Sequence, residues 1–327
     1  MGNRWALIYN DVYISWFALF VAAGCWLGML VAALLRKSQK QYASDVFLCT
    51  AFGVPLGLVF ARIFYCIFSL SEFNSLDQIL DLTNGGYGLY GAIFGVCVAV
   101  VLVNALFNID GLGELMDCMA VGGAFAITAG RFATYFTGSE LGYEVNFSVM
   151  AVYDEAQNLY TFAVYQLDGI ITAVIFFVSL GFFFYCQRKG ERDLIGGKTA
   201  LVMLAMHGAN QVLIDSMRSD ALKLGANEFI KMSQIIGIVS CIAVLVYFLV
   251  LSAKAAHRFG TWRAMSVIIM LECIGCGVLA EYRVGNGNYI SKHIMMLAAM
   301  FILCVMVVHY GRSIVVKKKP KAKITEK

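Results

Sequence analysis

Residues 126–142 read AITAGRFATYFTGSELG. The stretch opens small and apolar, in the manner of a membrane helix. Arg131 then follows Gly130 directly, and Thr134, Thr137, Ser139 and Glu140 come after it. A cation at membrane depth costs roughly 2.5–3.5 kcal/mol or more, so it rarely stands there without a role. Two readings compete. In one, the arginine snorkels from a helix end to the headgroups. In the other, it forms an anion site for a lipid phosphate. The rest of the chain bears on the choice.

Of 327 residues, 60% are hydrophobic, 14% are charged and only two are proline. A soluble core cannot use that much apolar surface. Long uncharged runs between short polar loops indicate an all-α polytopic membrane protein. Backbone groups in lipid are satisfied within the segment, so each run reads as a helix. The ten cysteines lie mostly inside apolar runs and read as small core residues. One CxxC, Cys273 to Cys276, sits mid-span beside Glu272, and a zinc site would need further ligands. No motif asks for a metal or an organic cofactor, and nothing resembles a nucleic-acid module.

Nine spans are predicted, at roughly 13–35, 45–69, 87–107, 115–136, 162–186, 198–216, 232–252, 262–281 and 293–311. Each approaches the roughly 20 residues needed to cross. A polar segment with Asp11 precedes the first, without a basic region or a small-residue cleavage site, which reads as an uncleaved anchor. One set of loops is basic: Arg36, Lys37 and Lys40; Arg188, Lys189, Arg192 and Lys198; Lys254, Arg258 and Arg263; and a tail with Arg312, Lys317, Lys318, Lys319, Lys321 and Lys323. The alternate loops hold Glu72, Asp77, Asp81, Glu144, Asp154 and Glu155. The positive-inside rule puts the basic set in the cytoplasm, with the N-terminus outside.

Polar residues inside spans carry the functional signal. Arg62 lies near the outer end of span two. Span three opens on Asn84-Gly85-Gly86-Tyr87-Gly88-Leu89-Tyr90-Gly91. Such glycines either let helices pack closely or leave an unwound start whose amides face an anion. Asp117 and Arg131 are separated by roughly 21 Å of helix, so they are no local pair, and Asp117 reads as a cap or loop anchor. In span six, His207, Gln211, Asp215 and Arg218 fall on one helical stripe. Asp215 and Arg218 can pair at i, i+3. The stripe faces either a polar cavity or a buried network that fixes packing.

In order, these pieces resemble the prolipoprotein diacylglyceryl transferase family. The resemblance rests on Ile14-Ser15-Trp16-Phe17, Ala61-Arg62, the glycine-rich run to Gly91, Asp117 spaced from Gly130-Arg131, Tyr165-Gln166-Leu167, His207-Gly208 through Asp215 and Arg218, and Met232-Ser233-Gln234. It covers about residues 10–255. Several positions depart from the family pattern. Ala133 and Thr134 stand where it has Gly and Asn, Gln211 where it has an arginine, Asp215 where it has a glutamate and His207 where it has a tyrosine. Tyr90 stands at a frequent histidine, and Phe17 lacks the usual hydroxyl.

The resemblance implies a seven-helix transferase-like domain at 1–255, two additional helices at 256–312 and a basic cytoplasmic tail at 313–327. It implies transfer of a diacylglyceryl group from phosphatidylglycerol to the lipobox cysteine of a preprolipoprotein in the bacterial inner membrane. Such chemistry needs guanidinium groups on a phosphate and a base for the thiol. Tyr90, Arg131, His207 and Asp215 are the catalytic candidates, with His207 as a possible proton acceptor. Arg62, Gly86, Thr134, Thr137, Glu140, Gln211 and Arg218 are the substrate-binding candidates. The segment from Gly138 to Tyr160 is expected to cover the site. The competing reading is an accessory protein that binds anionic lipid without turnover. A transporter would show an internal repeat, and none is visible.

Overall fold

Helices dominate because the long apolar runs have no proline to break them apart from Pro55 inside the second. In this computed structural model, residues 5–9, 12–70, 73, 75–80, 85–154, 158–189, 196–222, 231–256, 260–283 and 289–315 are described. Asp11, Glu72, Asp81, Asn84, Glu155, Arg192, Arg258 and the basic tail beyond Val315 lie outside the described residues.

The long helices are α1 (Trp16–Ser38), α2 (Ser44–Phe68), α4 (Leu89–Phe107), α5 (Leu112–Ala133), α6 (Val164–Lys189), α7 (Lys198–Met217), α8 (Met232–Ala255), α9 (Thr261–Arg283) and α10 (Tyr289–Ser313). A short helix, α3 (Leu76–Leu80), precedes α4. All nine expected spans are therefore helical. Among the described residues, eight helices are long and apolar enough to cross a membrane, which makes this a multi-pass membrane protein. The exception is α7, whose residues from Ala205 to Ser216 are all buried among its neighbours. Its polar stripe faces protein, so it does not need the apolar surface that lipid demands.

Sequence reading did not foresee two small sheets. β1 (Trp5–Tyr9) and β2 (Val12–Ser15) form an antiparallel hairpin ahead of α1. Ser15 then caps α1 by accepting from the Ala18 amide at 3.1 Å. Between α5 and α6, β3 (Glu144–Val145), β4 (Ala151–Asp154) and β5 (Leu159–Phe162) form an antiparallel sheet in the order β3-β5-β4. Its aromatic and β-branched residues suit strands, but two to four residues per strand leave little periodicity to read.

Close helix pairs are α1 with α5, α2 with α4, and α7 with α8. Small residues make them possible. A Cβ at Gly208 would lie 2.4 Å from the Gly237 carbonyl oxygen, and one at Gly91 would lie 2.4 Å from that of Phe60. The glycines after position 87 thus serve packing, while Gly85 and Gly86 adopt positive φ in the turn before α4. α10 packs on α7, α8 and α9, and its Met296, Ala299, Met300 and Leu303 join the common core.

Two clusters tie the end of the bundle that carries the basic loops. Arg36 is fully buried, bonds Asp45 at 3.0 Å and the Asp110 carbonyl at 2.9 Å, and lies 3.7 Å from Glu114. Asp117 accepts from the amides of Ala200 at 2.8 Å and Gly197 at 3.0 Å. It is an anchor, as expected, but it caps α7 rather than its own helix. Replacing Gly208 with valine is expected to lower the thermal midpoint in detergent, since overpacking costs about 1–3 kcal/mol or more. Gly123→Ala, whose Cβ would meet nothing within 4 Å, is the matched control and is expected to leave the midpoint unchanged or raised.

Candidate functional site

The opposite end of the bundle gathers the polar residues. α5 delivers Arg131 in its last turn, and a 3-10 turn at Thr134–Phe136 carries the chain on to Glu140. Thr134 Oγ1 donates to the Gly130 carbonyl at 3.2 Å. Thr137 Oγ1 donates to the Thr134 carbonyl at 2.8 Å. These two threonines shape the turn. Phe136 stacks on Trp16 and Phe20 of α1, which holds the turn against the bundle.

Arg131 is 9% exposed, and each of its three nitrogens faces an oxygen. Nη1 bonds Glu140, Nε lies 2.7 Å from Asp168 Oδ2 and Nη2 lies 3.4 Å from Gln211 Oε1. Asp168 is itself fully buried on α6 and accepts from Asn210 of α7 at 2.6 Å. Glu140 Oε1 also meets Arg218 Nη1 at 3.1 Å. One carboxylate oxygen therefore holds two guanidinium groups together. Arg218 further contacts Asp215 at 3.8 Å and Asp220 at 3.0 Å. Asp220 accepts from the Glu140 amide at 3.1 Å. Burial pushes the Asp220 carboxyl up, but Arg218 and the backbone amides outweigh it and hold the group below the usual carboxylate range. Glu140 adopts φ 57°, a left-handed conformation that is uncommon for a side chain of its size. Its two arginines and Asp220 fix it there.

These groups border a cavity of about 540 Å³. Of the eleven predicted residues, Tyr90, Arg131, Glu140, Gln211, Asp215 and Arg218 line it. Tyr90 Oη and Gln211 Nε2 are buried without a hydrogen-bond partner among the described residues. Phe64, Tyr65 and Phe68 of α2 supply an aromatic wall.

The remaining five lie elsewhere. Arg62 donates to the carbonyls of Gln78 at 2.8 Å, Ile79 at 3.1 Å and Gly86 at 3.2 Å, and to that of Gly85, so it clamps the turn ahead of α4. Gly86 takes φ 76° beneath Tyr65. Thr134 and Thr137 build the turn already described. His207 stands behind Tyr90, with ring centroids 5.9 Å apart, and does not line the cavity.

The model of the family described as prolipoprotein diacylglyceryl transferase matches residues 5–250. The chain belongs to the prolipoprotein diacylglyceryl transferase family. It is 26% identical over 253 residues to the phosphatidylglycerol–prolipoprotein diacylglyceryl transferase of Clostridioides difficile (strain 630), covering 77% of this chain and 96% of that protein. The protein of the same name from Finegoldia magna is 23% identical over 74% of this chain and 92% of its own length. That from Streptococcus equi subsp. zooepidemicus (strain H70) is 24% identical over 76% and 94%.

Within this member of the transferase family, sequence reasoning missed Asp168, Asn210 and Asp220. Asp168 follows Tyr165-Gln166-Leu167 directly, and an ionisable residue one turn into an apolar span was the available signal. Asn210 adjoins Gln211 on the polar helix. Asp220 sits two residues past Arg218, where no periodicity marks it. The sheet between Gly142 and Tyr160 contributes nothing to the lining among the described residues, and the cover expected from that segment reduces to Glu140.

Removing one partner of a buried ion pair costs about 3–5 kcal/mol, because the other charge is stranded. Asp168→Ala is therefore expected to lower the thermal midpoint much more than Asp220→Ala, whose side chain is 43% exposed. Unfolding of both variants in detergent, followed by intrinsic fluorescence, measures the difference.

Proposed function

We propose that the protein transfers the diacylglyceryl group of phosphatidylglycerol to the cysteine of a prolipoprotein, in lipoprotein biosynthesis. The observation that carries the assignment of the reaction to this cavity is the pair of guanidinium groups, Arg131 and Arg218, held at its wall by Glu140. Two cations at one wall of a cavity suit a phosphodiester, and they stabilise the charge that grows on a departing phosphate.

The lipobox cysteine is the nucleophile. An ordinary thiol has a pKa near 8.5, so about 3% is thiolate at neutral pH and a base is needed. We place that base at Asp215, which lines the cavity, and not at His207, which stands behind Tyr90. The thiol proton passes to the Asp215 carboxylate. The thiolate sulfur forms a bond to the glyceryl carbon next to the phosphate as the C–O bond breaks. Glycerol phosphate leaves with both electrons of that bond and takes the proton back from Asp215. Tyr90 Oη and Gln211 Nε2, both lacking partners among the described residues, donate to substrate oxygens. Thr134, Thr137, Gly86 and Arg62 act by shaping the walls.

The bundle's direction supports an orientation. The cavity lies at the end of α5 and α7 opposite the basic loops. We place those loops in the cytoplasm of a bacterium, the N-terminus outside and the cavity toward the outer leaflet of the plasma (inner) membrane. We divide the chain into a transferase-like domain at 1–255, two added helices at 256–312 and a cytoplasmic tail at 313–327. The family match ending at residue 250 supports the first boundary.

Reconstitution in phosphatidylglycerol with a lipobox peptide tests the reaction. Glycerol phosphate release is expected from the wild type. Arg131→Ala and Asp215→Asn should each lower it about 10²-fold or more, while His207→Gln retains most of it. Lipid binding without release by the wild type would instead identify an accessory protein.

A further inference from the structure

A second cavity, of about 450 Å³, lies between α6, α7 and α10. Its rim is open: Leu297 is 46%, Phe301 66% and Val305 50% exposed. Its lining is almost wholly apolar, with Ile171 and Val178 from α6 and Leu213 from α7. Along α10 it runs from Leu297 to Arg312. That distance is roughly 22 Å of helix at 1.5 Å per residue. One leaflet contributes about half of the roughly 30 Å hydrocarbon core, so the groove is long enough for one acyl chain.

One end of this groove is cationic. Arg312 lines it and lies over the Tyr185 ring at 4.8 Å. Lys189 approaches the same ring at 5.8 Å. Among the described residues neither cation forms an ion pair, and both are exposed. The floor holds Asn210, which is 5% exposed and whose Oδ1 has no hydrogen-bond partner among the described residues. The Nδ2 of the same side chain holds Asp168, the partner of Arg131. One wall, α10, lies beyond the residues that the family shares.

We propose that this groove binds one anionic phospholipid, with an acyl chain along α10 over Asn210 and the phosphate between Arg312 and Lys189. The apolar length and the two cations at one end fit that ligand. A zwitterionic lipid would bring its own cation to Arg312 and Lys189 and gain less. The groove is separate from the cavity at Arg131, and its occupancy does not require turnover.

Photocrosslinking tests this on the full-length protein in phosphatidylcholine nanodiscs. The probe is phosphatidylglycerol with a diazirine in one acyl chain, followed by peptide mapping. Label is expected on peptides spanning Ile171–Val178 and Leu297–Val308. Unlabelled phosphatidylglycerol should compete, and phosphatidylcholine should not. The double variant Arg312→Ala, Lys189→Ala should reduce labelling there by roughly tenfold. Cys304→Trp, which fills the groove, should abolish it, with size-exclusion elution confirming that both variants fold. Arg131→Ala should leave this labelling in place, which separates it from the phosphatidylglycerol bound for transfer. Equal labelling by a phosphatidylcholine probe would mean bulk lipid only and would overturn the proposal. So would an unlabelled groove, including one covered by a second copy of the chain, which light scattering would reveal.

Discussion

A guanidinium that is 9% exposed needs anions, and the end of this bundle opposite the basic loops is arranged to supply them. Arg131 draws together α6 through Asp168, α7 through Gln211 and the segment after α5 through Glu140. Glu140 then recruits Arg218, and Arg218 recruits Asp220, whose carboxylate returns to the Glu140 amide. The ring of contacts closes on itself. Each charged member satisfies at least one other, which is the condition under which buried ionic groups persist. A cavity wall with fixed charges of both signs is the result.

Most of the fold was legible because apolar length is a strong signal. All nine helices could be placed, eight of them apolar enough to span among the described residues, and the ionisable residues inside them marked the cavity. The stripe on α7 was visible from its spacing alone, and three of its four members line the cavity. What escaped was of two kinds. Burial direction is hidden from sequence: His207 shares the stripe's spacing yet lies behind Tyr90, and Arg62 looks like a ligand group yet clamps a turn. Short irregular segments are hidden too. Glu140 owes its position to a left-handed backbone and to the hydrogen bond its backbone N–H donates to Asp220, neither of which any period records.

The two ends of the bundle solve different problems. At the basic end, Arg36 binds the Asp45 carboxylate and the Asp110 carbonyl, and Asp117 accepts from amides at the start of α7. At the other, charged side chains meet mainly one another around open space. Helices of fixed length joined by glycine contacts keep those ends apart, so the structural arginine and the cavity arginines do not compete for the same acids. The similarity of Arg36 and Arg131 in burial therefore conceals a difference in task.

The enclosure of α7 bears on how the chain enters the membrane. A segment with His207, Asn210, Gln211 and Asp215 along one face gains little from contact with lipid tails. Its buried amides find partners on α5 and α6, its carboxylate pairs with Arg218 just beyond the helix, and α8 and α10 cover other sides. Partitioning of α7 is thus a property of the assembled group and not of the segment. The ribosome has emitted α5 and α6 before α7 and delivers α8 soon after it, but α10, which also covers α7, comes last. The shelter of α7 is therefore complete only when the last helix has been made.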